Sequence, residues 1–182
     1  MLIFVQQVPS VAPYIACARC LIPVLFHGKR LIKALWLSKV SWDESLLTDL
    51  QLQWQHVASS FQQLSTITIP RRILYMHQDA TYQLITFCDA LEQMYATAMY
   101  LRAVADGRAE SNLVFSKMRL APSPKSGSTK ITIPRLELLA VLLGVRATKF
   151  TADQLKLPIQ RSLLFSDSAC VLYWLQTNKF LP

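Results

Sequence analysis

The chain has 182 residues, of which 52% are apolar and 16% charged, and its net charge is +8. This length and apolar content suffice for a domain with a real core and exclude an intrinsically disordered chain. Ten Lys and Arg against three acids lie between positions 111 and 182, which accounts for +7 of the total charge. Such an excess favours a surface that binds polyanions, although a basic surface without any nucleic-acid role is the open alternative.

The first 26 residues are apolar, but Pro9, Pro13 and Pro23 interrupt them and no positive charge precedes Arg19. They therefore predict neither a membrane span nor a signal peptide, although the run ACA at 16–18 resembles a cleavage site and leaves secretion open. We treat 1–28 as a separate apolar segment.

The four cysteines do not form a disulfide framework. Cys17 and Cys20 make a lone C-x-x-C, for which zinc binding is the alternative reading, and Cys88 and Cys170 lie in apolar runs typical of buried thiols. We therefore expect a reduced intracellular protein, cytoplasmic or nuclear, with no membrane association.

Two helices are predicted in the next segment, 29–72. The first is basic and amphipathic over 29–39, and the run Ser41-Trp42-Asp43-Glu44 resembles a capping box that opens the second. Apolar residues then recur three and four positions apart from Leu47 to Leu64, which predicts a buried stripe that includes Trp54 and Phe61. Two helices alone bury too little surface to be stable, so this segment must pack against something else.

The segment 73–182 has the pattern of an α/β domain. Asp106-Gly107 is a hairpin signal between the second and third strands, so the first three strands predict an antiparallel meander. The predicted elements are strands at 82–89, 94–104 and 112–118, a helix at 134–150, a strand at 161–165 and a helix at 169–176. The order β-β-β-α-β-α predicts a mixed sheet preceded by the small helical segment.

The helix predicted at 134–150 carries one acid near its start. Pro134 suits the first helical position, and an apolar stripe from Leu136 to Phe150 should be buried. Glu137 then falls in the first turn. The simple alternative is that it only interacts with the helix dipole at a solvated helix end.

Three acids are expected to converge at one edge of the sheet. Asp89 ends the first strand of the meander, Asp167 ends the strand at 161–165, and a right-handed crossover would place both at the same carboxyl-end edge beside Glu137. We expect the three carboxylates within about 8 Å of one another. Because clustered carboxylates repel, the arrangement favours a site for Mg²⁺ or Mn²⁺, and two such ions suit phosphodiester hydrolysis.

Several runs resemble the ribonuclease H-like region of BEL/Pao-type LTR retrotransposon polyproteins, a family also called Pao retrotransposon peptidase. The runs are FCDA, YLR, SKMRLAP, TIPRLELLA and LLFSDSACVLYWL, and the resemblance spans about 66–176. WDESL resembles the preceding segment that links reverse transcriptase to ribonuclease H. The resemblance implies a ribonuclease H-like fold, Mg²⁺-dependent hydrolysis of RNA in RNA–DNA hybrids, and a polyprotein that also contains reverse transcriptase. It also implies catalytic and metal-binding roles for Asp89, Glu137 and Asp167.

The chain departs from the family pattern in three ways. Leu91 stands where a serine usually follows the first Asp-Ala, and residues 1–26 match poorly. No acid follows Asp167, whereas the fold normally continues through a fifth strand and helices that supply a fourth metal-binding acid. We therefore expect a domain truncated at its C-terminus, an exposed edge at the strand 161–165, and weak or absent cleavage. Neither Asp-Thr/Ser-Gly nor Tyr-x-Asp-Asp occurs, so no peptidase or polymerase is expected.

Lys117, Arg119 and Arg135 are candidates for contacts with nucleic-acid phosphates, although each suits an ordinary exposed surface equally. The three histidines show no ligand spacing, and Tyr173 and Trp174 are expected in the core. Three hypotheses remain. They are a metal-dependent nuclease acting on RNA–DNA hybrids, a non-catalytic nucleic-acid-binding or interaction module with the same fold, and a structural domain whose acids are dipole partners and caps.

Overall fold

The computed structural model describes residues 3–7, 22–39, 41, 43–64, 79–124 and 130–177. The expectations for Cys17 and Cys20, and for His77, one of the three histidines, lie outside these residues. The chain divides into two compact units, one made of Met1–Ala18 and Arg71–Pro182 and the other of Arg19–Pro70. The domain boundaries placed at 28 and 72 remain predictions.

The smaller unit contains helices α1 (Ile22–Ser38) and α2 (Thr48–Leu64). The Ser41 N–H donates to the Glu44 carboxylate at 3.1 Å, but α2 begins only at Thr48, with the Leu47 carbonyl accepting from Gln51 at 3.0 Å. The prediction that this box opens the helix is therefore wrong. The Ser41–Glu44 hydrogen bond instead closes a short loop before the helix. The capping-box signature predicts this bond correctly, but it does not determine whether the residues after Glu44 are helical.

The apolar stripe of α2 is only half buried. Leu50 and Val57 are buried, whereas Trp54 is 53% exposed and Phe61 and Leu47 are also exposed. The prediction of a fully buried stripe is therefore wrong. A single partner helix covers one narrow seam, and the residues that flank this seam stay in contact with solvent.

The larger unit contains the predicted meander of three antiparallel strands. The strands are β2 (Thr81–Leu91), β3 (Met94–Ala105) and β4 (Arg108–Leu120). Asp106 and Gly107 have φ angles of 50° and 72°, which is the left-handed pair that a tight hairpin needs. The local turn chemistry therefore sets the register of β3 and β4.

Two parallel strands complete the sheet. Strand β5 (Ile159–Ser166) lies beside β2, and β1 (Ile3–Gln7) lies beside β5, giving the order β1-β5-β2-β3-β4. The expectation of an exposed edge at β5 is wrong, because β1 pairs with it from Ile3–Ser162 to Gln7–Ser166. The α/β class with a mixed sheet is confirmed.

Helix α3 (Ile133–Leu155) covers one face of the sheet, and α4 (Ala169–Gln176) follows β5. The core contains fully buried Leu84, Met99, Leu136, Leu164 and Val171. Trp174 packs partly buried against this core, but Tyr173 is exposed, so its predicted core position is wrong. A helix of eight residues buries one face only, and Tyr173 lies on the other face.

Helix α3 approaches the sheet most closely at Gly144. A Cβ atom there would overlap the Cys88 sulfur and would lie 3.2 Å from atoms of Thr86 and Leu164. We expect Gly144→Ala to lower the free energy of unfolding by about 1–3 kcal/mol, because overpacking outweighs a helix-propensity gain of about 1 kcal/mol. Urea denaturation followed by circular dichroism measures the change.

Gly28→Ala is the matched control, because Gly28 is also a glycine inside a helix. A Cβ there has its nearest neighbours at 3.8 Å, which is ordinary contact. We expect this variant to be as stable as the wild type or more stable by up to about 1 kcal/mol. Equal effects of the two substitutions would contradict the close contact at Gly144.

Candidate metal centre

Asp89 and Asp167 meet because two neighbouring strands are parallel and in register. Phe87 of β2 pairs with Phe165 of β5, and each aspartate follows two residues later. Neighbouring strands lie about 4.8 Å apart, so the two carboxylates emerge side by side. Both side chains are partly buried.

Glu137 reaches the same place from α3. This helix begins at Ile133, one residue earlier than predicted, so its first turn contains no acid and Glu137 lies beyond it. The side chain is only 7% exposed. The alternative in which Glu137 is a dipole partner at a solvated helix end therefore does not describe its position.

The three carboxyl groups form one cluster. Asp89, Glu137 and Asp167 each offer an oxygen within 4.8 Å of the others, inside the distance expected from the sequence. Glu137 Oε2 is buried and has no hydrogen-bond partner among the described residues. A buried carboxylate oxygen without a donor is costly, and a cation would remove that cost.

Electrostatics at Glu137 agree with this geometry. Burial raises the pKa of Glu137 to about 7, with further increases from the charges of Asp89 and Asp167, while a backbone hydrogen bond at Ala90 lowers it in part. Without a bound cation, Glu137 therefore keeps its proton up to a higher pH than an ordinary glutamate does. Three oxygen donors without histidine or cysteine suit Mg²⁺ or Mn²⁺, so the described residues fit such an ion.

Comparison with known families identifies the domain. The family model described as the Pao retrotransposon-like RNaseH-like domain matches residues 14–168, most of the chain. The chain belongs to this family. The match begins well before 66 and includes both helices of the smaller unit, so the expectation that residues 1–26 match poorly is wrong from 14 onward. No curated protein matches the chain.

Membership in the Pao family confirms the ribonuclease H-like fold class and the retrotransposon origin. It implies a nucleic-acid substrate and a polyprotein context. Across the described residues, no helix is long and apolar enough to cross a membrane.

In the Pao domain, the three residues predicted to contact phosphates do not lie on one surface. Lys117 and Arg119 are exposed on β4, where they line a groove against α3. Arg135 is exposed in the first turn of α3 and does not line this groove. Their roles in binding nucleic acid stay predictions.

Sequence reasoning missed two further residues of the groove, Arg146 and Phe150. The predicted burial of Phe150 is wrong, since it is 60% exposed at the groove. The signal was present, because Arg146 and Phe150 are four residues apart and lie on one face of α3. Only the packing of α3 against β3 and β4 shows which surface that face meets.

Proposed function

We propose that this domain hydrolyses the RNA strand of RNA–DNA hybrids with Mg²⁺ or Mn²⁺ held by Asp89, Glu137 and Asp167. The observation that supports the proposal is the cluster itself, in which three carboxyl oxygens lie within 4.8 Å of one another and one buried Glu137 oxygen has no donor among the described residues. Such a cluster is unfavourable on its own and favourable around a divalent cation.

The three acids are suited to different parts of this task. Asp89, near the end of β2, and Asp167, directly after β5, are both partly buried, so they can hold an ion at an edge that substrate reaches. Glu137 is buried on α3 and supplies a ligand fixed by the packing of the helix. When bound, the ion supplies a Lewis acid that polarises the scissile phosphodiester. We assign Lys117, Arg119 and Arg135 to contacts with backbone phosphates, which position the hybrid without reading its sequence.

Metal binding is the direct test. Isothermal titration calorimetry with Mn²⁺ measures the affinity of the purified chain for the ion. We expect this affinity to be at least about tenfold weaker in Asp89→Asn and Asp167→Asn than in the wild type. These substitutions keep the shape of the side chain and remove its charge. Asp153→Asn is the matched control, because Asp153 is an exposed acid of α3 outside the cluster. Equal affinity in all four proteins would show that the cluster does not hold the ion.

The second candidate function is a non-catalytic module that binds nucleic acid or another partner and retains the fold. The basic excess between positions 111 and 182 favours it, because binding of a polyanion needs charge and no metal. Hybrid binding without metal-dependent cleavage would support this candidate over the nuclease.

A further inference from the structure

A groove of about 380 Å³ lies between the edge strand β4 and helix α3, apart from the three acids. Its floor is apolar and includes Tyr95 and Leu143, of which Tyr95 is buried. Lys117 and Arg119 line the strand side, and Arg146 and Phe150 line the helix side. All four are exposed.

Strand register brings the cations of β4 to this groove. Arg119 pairs with Tyr95, and Lys117 pairs with Thr97, so these side chains share one sheet face. Thr97 contacts Cys88, the residue that Gly144 of α3 approaches, which shows that the shared face is the one that α3 covers. Arg146 then lies across the apolar floor from Lys117 and Arg119.

The charges of the groove are uncompensated. It has three cationic side chains and no acidic one among its described lining residues. In the part of the chain that the structure describes, none of Lys117, Arg119 and Arg146 forms a salt bridge. Three like charges around a concave surface create a positive potential, and the complementary ligand is an anion with several charges.

The size and the aromatic rim restrict the ligand further. A volume of about 380 Å³ is at the small end of ligand pockets, which range from about 300 to 1,000 Å³, so the groove suits one nucleotide of a single strand better than two paired strands. Phe150 is 60% exposed and offers a ring face beside the cations. Phosphates with a stacked base use both features, whereas an acidic peptide uses only the charge.

We infer that this groove binds a single-stranded segment of nucleic acid, with phosphates at Lys117, Arg119 and Arg146 and a base stacked on Phe150. Asp89 pairs with Ala96, which pairs with Met118, so the segment of β4 between Lys117 and Arg119 lies two strands, or about 10 Å, from the Asp89 backbone. The site rests on the proposed nucleic-acid role of the domain but not on its metal or its cleavage.

Fluorescence anisotropy of labelled oligo(dT) with the full chain in EDTA tests the site without metal. We expect Phe150→Ala to weaken binding about tenfold, as loss of one stacked base does. Arg146→Ala should weaken it about fivefold and should lower the slope of log affinity against log salt by about one. In Phe150→Trp, affinity should be retained and the added indole emission should be quenched by the oligonucleotide.

Two controls match these variants. Lys149→Ala removes an exposed cation of α3 outside the groove, and Tyr173→Ala removes an aromatic ring that is 60% exposed, as Phe150 is. If Arg146→Ala and Phe150→Ala weaken binding no more than these controls, the inference is overturned. It is also overturned if poly-glutamate competes as well as oligo(dT), or if the groove variants weaken binding of a blunt hybrid and not of oligo(dT).

The same assay separates this inference from the proposed function. A wild-type chain that binds neither oligo(dT) nor hybrid at low salt would contradict both. A chain that binds and cleaves hybrid while its groove variants behave as wild type would contradict the groove alone.

Discussion

Release of labelled RNA from an RNA–DNA hybrid is expected to be weak, to require Mg²⁺ or Mn²⁺ and to fall at least about a hundredfold in Asp89→Asn. Substitution of residues that only support metal ligands lowers metal affinity or activity about 10- to 100-fold. Asp89 is proposed as a ligand itself, so the loss of activity should be at least as large. Asp167→Asn should have a similar effect, because each aspartate lies two residues after the paired residues Phe87 and Phe165. The measurement is a gel assay of RNA cleavage over time, with and without EDTA.

Asp153→Asn is again the control, since it removes an exposed acid of α3 without changing the cluster. Its cleavage rate should equal that of the wild type. Cleavage that survives EDTA or Asp89→Asn would show that the catalytic assignment is wrong. Intact metal and hybrid binding without any cleavage would instead favour the non-catalytic module.

In the absence of divalent ions, the free energy of unfolding should decrease as the pH rises from about 5 to about 8. The pKa of Glu137 is raised to about 7 in the folded chain, so the folded state binds this proton more tightly than the unfolded state. The tighter binding of this proton stabilises the folded state fully at pH values below the pKa that Glu137 has in the unfolded chain. This stabilisation is lost as the pH rises through the pKa of Glu137 in the folded chain. Allowing for solvent around the two aspartates, we expect a loss of about 1–2 kcal/mol.

Glu137→Gln isolates this contribution because it keeps the side-chain shape and cannot ionise. Near pH 5 the variant should be about as stable as the wild type, and at pH 8 it should be more stable by about 1–2 kcal/mol. Saturating Mn²⁺ should stabilise the wild type at pH 8 and not the variant. Urea denaturation at each pH gives the values, and an unchanged difference between pH 5 and pH 8 would contradict a raised pKa at Glu137.

The distinction between local and long-range signals explains which structural predictions were right. The Asp106-Gly107 turn and the apolar stripe after Pro134 are local patterns, and each gives the element that the structure contains. The five-residue strand β1 shows no such local pattern in its sequence. It forms by pairing with the free edge of β5, which is a long-range contact.

The amino-acid sequence by itself determined the order of the elements from β2 to α4, and it placed the three acids near the ends of their elements. Crossover handedness is nearly invariant, so this order already placed Asp89 and Asp167 at one edge. Only the tertiary structure decided that Glu137 is buried and that Phe150 is exposed beside Arg146 and the cations of β4. Burial and the joining of two surfaces depend on how α3 is seated on the sheet, and that seating is set by contacts such as Gly144 with Cys88, between residues far apart in the chain.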